Sequence, residues 1–332
     1  MKVLFIGGTG NISTAVSKLA IQQGIELSLL TRGESKAVIP GAELINGDIH
    51  QPDTIRTILD GRTWDVVVNW IAFTEEEIQR DIDLFQGKTS QYIFISSASA
   101  YQKPPTHPII TESTPLANPF WDYSQKKIAC EERLNRAYRE ESFPVTIVRP
   151  SLTYDTVIPL TFGAWREYTT VDRMKRGEKI IVHGDGTSLW TITHANDFAI
   201  GFVGLLGHQQ ALGHAFHITS DELLTWDQIY QATAEAIGAK ANIVHIPSDF
   251  IAHFSPGHRG SLIGDKAIST IFDNSKIKRF VPEYCATTPY KVGIKKTIDW
   301  FEADSKRQVI NPQSNELMDR IINAYETGIP NK

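Results

Sequence analysis

The sequence predicts an α/β protein built on a parallel, doubly wound sheet, with a smaller C-terminal lobe. Three observations predict it. The apolar segments of the first half are continuous Val/Ile/Leu runs rather than alternating ones, as strands covered on both faces require. These runs alternate with amphipathic segments of helical period. A glycine-rich turn, Gly7-Gly8-Thr9-Gly10, lies directly between the first run and the first helical segment.

Taken in order, Val3–Ile6 reads as the first strand, Ile12–Gln23 as an amphipathic helix, and Glu26–Leu30 as the second strand. Asp65–Asn69 and Tyr92–Ser96 read as further strands, with a helix over Ile78–Phe85 between them. Ser124–Arg139 is a long helix and Val145–Val148 another buried strand. Between them, Gln102–Asp122 holds five of the sixteen prolines and shows no periodicity. A loop of that length inside a compact domain usually carries function. Beyond Pro150 the pattern loosens. Short strands are expected at Ile180–Val182, Ala215–Ile218 and Ile243–Ile246, and helices at Trp226–Ile237 and Val292–Phe301. The expected division is therefore a sheet domain over residues 1–150, to which some later segments return, and mainly a substrate-binding lobe over 151–332.

Composition narrows the function. The chain has 332 residues, 41% hydrophobic and 21% charged, ordinary for a globular protein. A net charge of −5 argues against nucleic acid or an anionic membrane as the main partner. Two cysteines, Cys130 and Cys285, leave no disulfide framework, and the ten histidines form no zinc-like spacing with them. No metal site is expected, His214-Ala215-Phe216-His217 included. The initial apolar run is too short for a signal peptide, and no apolar stretch approaches a membrane span. A cytoplasmic protein in a reducing compartment is expected.

The segment Gly7-Gly8-Thr9-Gly10-Asn11-Ile12-Ser13 has the chemistry of a dinucleotide turn. Glycines permit a tight bend and let backbone N–H groups approach a pyrophosphate, while the following helix presents its positive dipole end. Ser13 is small enough for close helix–strand packing. At the end of the second strand, where a carboxylate would bond the adenosine ribose, the chain has Thr31-Arg32. A guanidinium there suits a phosphate, so NADP is favoured over NAD. Asp48, in Gly47-Asp48-Ile49, is placed either to accept from an adenine amino group or to stabilise a turn.

Tyr123 and Lys127 are four residues apart and so share one helical face. A free tyrosine titrates near ~10 and is a poor base at neutral pH. A neighbouring ammonium stabilises its phenolate. Phe94–Tyr101 begins as a buried strand and ends in the Ser-rich turn Ser96-Ser97-Ala98-Ser99, at the sheet end where ligands gather.

Taken in combination, these motifs resemble the extended short-chain dehydrogenase/reductases of the NAD(P)-dependent epimerase/dehydratase family. The glycine turn, Gly47-Asp48, the Asp65–Ala72 segment, Ser-Ser-Ala-Ser-Ala-Tyr, Tyr-x-x-x-Lys, Val148-Arg149-Pro150 and Thr193–Asp197 follow in order over roughly Met1–Phe301. The resemblance implies a Rossmann-type fold, with Ser97 as the active-site serine, Tyr123 as general acid/base and Lys127 as its partner. It implies cofactor contacts at Gly7, Thr9, Gly10, Asn11 and Ile12 for the pyrophosphate, and at Arg32, Asp48 and Ile49 on the adenosine side. Trp70, Ile71 and Ala72 would flank the cofactor and Pro150 would approach the nicotinamide, with Tyr123 and Lys127 also in contact. Ser97 and Ser99 would meet substrate. His194 and Asp197 match a structural segment. A homodimer is implied, joined through the helices around Glu75–Phe85 and Ser124–Arg139.

One departure matters. Sugar-nucleotide epimerases commonly carry an arginine four residues before this histidine, and here that position is Trp190. An indole cannot neutralise a diphosphate but can stack on a base or sugar. Arg166, Arg173, Lys175, Arg176 and Arg279 offer alternative charges. The expected function is NAD(P)-dependent hydride transfer on a small molecule, a sugar nucleotide among the candidates. Epimerase, dehydratase and NADPH-dependent carbonyl reductase outcomes share one constellation. A non-enzymatic dinucleotide-sensing or RNA-associated protein is the alternative from another class.

Overall fold

The computed structural model describes residues 1–34, 37–163 and 165–328; the last four residues of the expected second lobe lie outside them. Seven strands form one sheet: β1 (Lys2–Ile6), β2 (Glu26–Thr31), β3 (Glu43–Asn46), β4 (Trp64–Asn69), β5 (Thr89–Ile95), β6 (Val145–Pro150) and β7 (Ala215–Ile218). Their order across the sheet is β7-β6-β5-β4-β1-β2-β3, and every pairing is parallel.

The continuous apolar runs are explained by two faces of equal dryness. Val3 and Phe5 of β1, with Val66 and Val68 of β4, pack under α1 (Ser13–Gln22) and a later helix, Ala195–Leu205. Leu4, Ile6 and Val67 point the other way, onto α3 (Glu75–Phe85) and α4 (Asp122–Glu140), where Ile78, Ile82, Cys130 and Leu134 meet them. Each such side chain contributes roughly 1.5–3 kcal/mol by leaving water. Leu134 and Ala137 belong to this core, so the α4 surface left for a partner is carried by half-buried residues such as Ile128.

Strand β7 and the helix Ala195–Leu205 come from beyond Pro150 yet complete the sheet domain. The chain crosses over and returns. The remainder forms a second lobe with its own core, in which Tyr154, Trp190, Trp226, Tyr230 and Tyr290 are buried. Its helices Trp226–Ala236 and Tyr290–Glu302, and the parallel pair Lys179–His183 with Asn242–Ile246, lie where the sequence places them to within a few residues. Elements outside the sequence expectation include β3, α2 (Pro52–Ile58), the helices Thr169–Lys175 and Ala195–Leu205, and a C-terminal helix, Pro312–Thr327.

The strand order reverses between β4 and β2, on either side of β1. Loops leaving the C-terminal ends of strands on the two sides part there and leave a crevice. Gly7 N–H donates to the Leu30 carbonyl at 2.9 Å and Trp70 N–H to the Ile6 carbonyl at 3.1 Å, so the crevice floor is fixed by the last rungs of the ladder.

Candidate active site

The crevice opens into a cleft of about 1100 Å³. Gly7 through Ser13 form one wall, and Arg32, Asp48 and Ile49 stand at one end. Trp70, Ile71 and Pro150 continue the lining toward Tyr123 and Lys127 at the other. The glycine turn, β2 end, β4 turn and α4 helix thus converge on one space.

Gly7 and Gly8 adopt φ of 96° and 103°, the left-handed side that glycine alone enters freely. A Cβ on Gly7 would lie 3.2 Å from Ile71 Cγ2, and one on Gly8 2.7 Å from Leu29 Cδ2. No side chain caps α1, and its first turn holds no acidic residue. Ser13 instead turns back, its hydroxyl accepting from Gly10 N–H at 2.8 Å. Asn11 donates to the Thr153 carbonyl at 2.8 Å, while its buried Oδ1 has no partner among the described residues. A bare helix N-terminus, a glycine cradle and an orphaned amide oxygen in one cleft fit the phosphates and ribose of a dinucleotide.

At the end of β2, Arg32 is exposed and pairs with Glu34 at 2.9 Å. Asp48 accepts from His50 N–H at 3.0 Å, so it stabilises its own turn while lining the cleft. The indole of Trp70 turns into the core between Phe5 and Phe202, leaving its Cβ beside Gly7. Ala72 is buried and reaches the site through its carbonyl.

That carbonyl accepts from Lys127 Nζ at 2.7 Å, and the Ile95 carbonyl accepts at 2.8 Å. The ammonium lies 4.2 Å from the Phe73 ring centroid and 6.0 Å from that of Tyr123. Burial lowers Lys127 to about 8, with Cys130 and glutamates opposing. It remains a cation at neutral pH. Burial pushes the Tyr123 hydroxyl up; the Ser97 hydroxyl, as its hydrogen-bond partner, pulls it down, and Asp265 pushes it up again. Ser97, Tyr123 and Lys127 are therefore together.

The serines are organised by a relay that the sequence does not disclose. Ser97 Oγ lies 2.9 Å from Ser99 Oγ, which accepts from Ser124 Oγ at 2.8 Å. Asn118, buried at the end of the proline-rich loop, donates to the Ser99 carbonyl at 2.7 Å. Beneath the β4 turn, Asn69 Oδ1 accepts from Ile71 N–H at 2.8 Å and Ala72 N–H at 2.9 Å. Its amide donates to buried Asp81, which also accepts from Tyr92 OH at 2.6 Å. Burial pushes Asp81 up, opposed by Arg80 at 2.8 Å, and burial together with the Asp81 charge pushes Tyr92 up.

Trp190 does not line the cleft. It is 2% exposed, packs on Trp226 at 5.6 Å between centroids, and leaves Nε1 without a partner. Its indole faces are occupied by protein, so they are not open for stacking on a base or sugar. Of the five candidate cations, Arg166 lines the cleft. Arg173 is buried against Asp319, Lys175 pairs with Glu302, Arg176 pairs with Asp172, and Arg279 is exposed on a short helix. His194 caps the helix Ala195–Leu205 by accepting from Asn196 N–H at 3.2 Å, and Asp197 accepts from Thr288, so both are structural. Among the described residues no His/Cys/Asp/Glu group could hold a metal, and no helix is long and apolar enough to cross a membrane.

Comparison with known proteins places the fold. The chain is 23% identical to 2'-dehydrokanamycin reductase of Streptomyces kanamyceticus over 285 residues, covering 86% of this chain and 80% of the relative. It is 26% identical to chloroplast stem-loop binding protein of 41 kDa b of Arabidopsis thaliana over 269 residues, 77% of this chain and 66% of that one. The structure of UDP-glucose 4-epimerase from Bifidobacterium longum in complex with NAD+ and UDP is similar with a TM-score of 0.74 at 16% identity, covering 92% of this chain and all (100%) of the other. Residues 3–219 match the NAD dependent epimerase/dehydratase family, and the chain belongs to that family of extended short-chain dehydrogenase/reductase enzymes.

Proposed function

We propose that the protein transfers hydride at a hydroxyl-bearing carbon of a sugar-type substrate, with Tyr123 as general acid/base. The observation that carries this reading is the convergence of Ser97, Tyr123 and Lys127 beside the glycine cradle. A nicotinamide dinucleotide, when bound, supplies the redox chemistry. Gly7, Thr9, Gly10, Asn11 and Ile12 would hold its pyrophosphate, and Asp48 with Ile49 its adenine. Tyr123 takes the proton of the substrate hydroxyl or returns it. Lys127 holds a positive charge near the phenol and favours its ionised form. Ser97 orients the substrate oxygen by the same hydrogen-bonding group that now meets Tyr123.

A nucleotide-linked sugar is the leading substrate class, consistent with the epimerase neighbour. A carbonyl reductase acting on a glycoside without a nucleotide is the second reading. The reductase relative spans most of both chains, and the neutral, buried Trp190 favours it. Arg32 at the cleft mouth supports NADP for either reading, by pairing its guanidinium with a 2′-phosphate in place of Glu34. A homodimer through α3 and α4 completes the proposal; light scattering giving a monomer across micromolar concentrations removes it. The intact Ser97, Tyr123 and Lys127 set and the net charge of −5 weigh against an RNA-associated role. The functional test is mixing of the NAD(P)+-loaded protein with UDP-glucose and of the NAD(P)H-loaded protein with keto-glycosides. A change in nicotinamide absorbance that Tyr123→Phe abolishes supports hydride transfer. No change with any hydroxylated or keto substrate overturns it.

A further inference from the structure

We propose that Lys103, Asp265 and Lys266 form a subsite beside Tyr123 that receives an anionic group of the substrate, a carboxylate or a phosphate. The proposal deepens the hydride-transfer reading and rests on it.

The three residues come from distant parts of the chain. Lys103 lies in the proline-rich loop, while Asp265 and Lys266 end a π-helical turn, Leu262–Lys266. Such turns are rare and occur mostly where function needs a particular side-chain placement. This one is clamped against the segment that leads into Tyr123. Asn118 donates to the Gly264 carbonyl at 2.7 Å. A Cβ on Gly260 would lie 2.2 Å from Trp121 Cδ1, so the helix backbone presses directly on that indole. The Lys266 carbonyl accepts from Trp226 Nε1 at 3.1 Å and from His183 Nε2 at 3.0 Å.

The clamp carries the charges to Tyr123. Lys266 Nζ lies 5.8 Å from the Trp121 ring centroid, and the Trp121 and Tyr123 rings are 4.9 Å apart. The Asp265 carboxylate is close enough to push the Tyr123 hydroxyl up.

Charge balance points to the ligand. Lys103 Nζ donates to Thr270 Oγ1 at 3.1 Å and lies 3.6 Å from Asp265 Oδ1. Lys266 Nζ lies 3.8 Å from the other oxygen of the same carboxylate. One carboxylate thus serves two ammonium groups, whose side chains are 2% and 12% exposed. A surplus positive charge out of water is costly, and a substrate anion offsets it. Burial holds both lysines below their ordinary value, a shift that an incoming anion would oppose. The Lys103 ammonium also lies 5.8 Å from the Trp190 ring centroid, and Trp190 Nε1 is a buried donor without a partner. Asp265, at 14% side-chain exposure, is the least buried of the three.

The test is calorimetric titration of the NAD-loaded protein with UDP, UDP-glucose, glucuronate and inorganic phosphate, in wild type, Lys266→Gln and Asp265→Asn. Removing a cation weakens binding of the responsive probe about tenfold or more, and removing the carboxylate tightens it. The opposite signs separate a charge effect from misfolding, and unchanged melting temperatures confirm it. A response confined to glucuronate identifies a substrate carboxylate. A response shared by UDP, UDP-glucose and phosphate identifies a phosphate. Affinities unchanged by either variant, or no probe bound by the wild type, overturn the subsite. Dinucleotide binding, titrated separately into the dinucleotide-free protein, separates the two proposals: its absence in wild type removes the hydride-transfer reading, whereas its presence with unresponsive anion affinities removes only the subsite.

Discussion

Lys127 Nζ donates to the Ala72 carbonyl at 2.7 Å, tying α4 to the turn that follows β4. The same ammonium lies 6.0 Å from the Tyr123 ring centroid. One side chain thus closes the floor of the cleft and places a buried positive charge near the Tyr123 ring. Both roles depend on its burial, because a solvated ammonium would exert a screened field and make weaker carbonyl bonds.

Tyr123→Phe removes the hydroxyl and nothing else of comparable size. Turnover should fall by about a hundredfold to ten-thousandfold, the usual contribution of a positioned acid/base. Dinucleotide affinity and melting temperature should stay near wild type. A variant with full turnover would assign proton transfer elsewhere.

Lys127 titrates at about 8 in the folded chain against an ordinary 10.5. Between those values the unfolded chain binds a proton that the folded chain does not, so this group's contribution to stability rises with pH across that window. Below about 8 its burial penalty is present in full. Urea denaturation of wild type and Lys127→Met from neutral pH to about 10.5 should show the wild type gaining on the variant as pH rises. A constant or shrinking difference would contradict the burial argument.

Much of this site was legible in the sequence because its residues lie at strand ends. The turn Gly7–Ile12 follows from where the first apolar run stops, Tyr123 and Lys127 from their shared helical face, and Trp70, Ile71 and Pro150 from the family resemblance. Edge strand β3 was not legible, because only Ile45 of its four residues is buried and no apolar run marks it. The helix Pro312–Thr327 did carry a signal, Asn311 as cap followed by Pro312 at its first position. The relay through Asn118 depends on contacts 19 and 25 residues apart and the Lys103–Asp265 pair on one across well over a hundred residues, so neither has a local signature. Trp190 illustrates the opposite failure: its residue type suited stacking on a ligand, but its faces are used by the second core.

Arg32→Ala should weaken NADPH binding about tenfold or more while leaving NADH binding little changed. Exposed pairing with Glu34 costs little to break, so the guanidinium is available to a 2′-phosphate. Equal affinities for both dinucleotides, insensitive to the substitution, would remove the phosphate role and favour NAD.

Asn69→Ala should destabilise the fold by about 1–3 kcal/mol, because it strands the Ile71 and Ala72 backbone donors and removes one of the donors to Asp81, which keeps Tyr92 and Arg80. The turn carrying Trp70 and Ile71 would loosen with it. Dinucleotide affinity should therefore fall although Asn69 itself is wholly buried. Calorimetric titration beside a thermal melt checks both; lost stability with unaltered affinity would show that the turn is held by other contacts.

Trp190→Ala should lower stability by about 3–5 kcal/mol, as removal of a large core aromatic does. Trp190→Phe should retain most of the fold and leave dinucleotide affinity unchanged. Substrate affinity that collapses in the phenylalanine variant, with stability intact, would restore a direct ligand contact for the indole.

The central claim is proton transfer by Tyr123 coupled to hydride transfer in the cleft. It is tested by single-turnover reaction of the NAD(P)+-loaded protein with UDP-glucose, or of the NAD(P)H-loaded protein with a keto-glycoside, followed by nicotinamide absorbance in wild type and Tyr123→Phe. A change in nicotinamide redox state is expected in the wild type, with its near-complete loss in the variant. A wild-type signal undiminished by the variant, or no redox signal with any substrate despite dinucleotide binding, would contradict it.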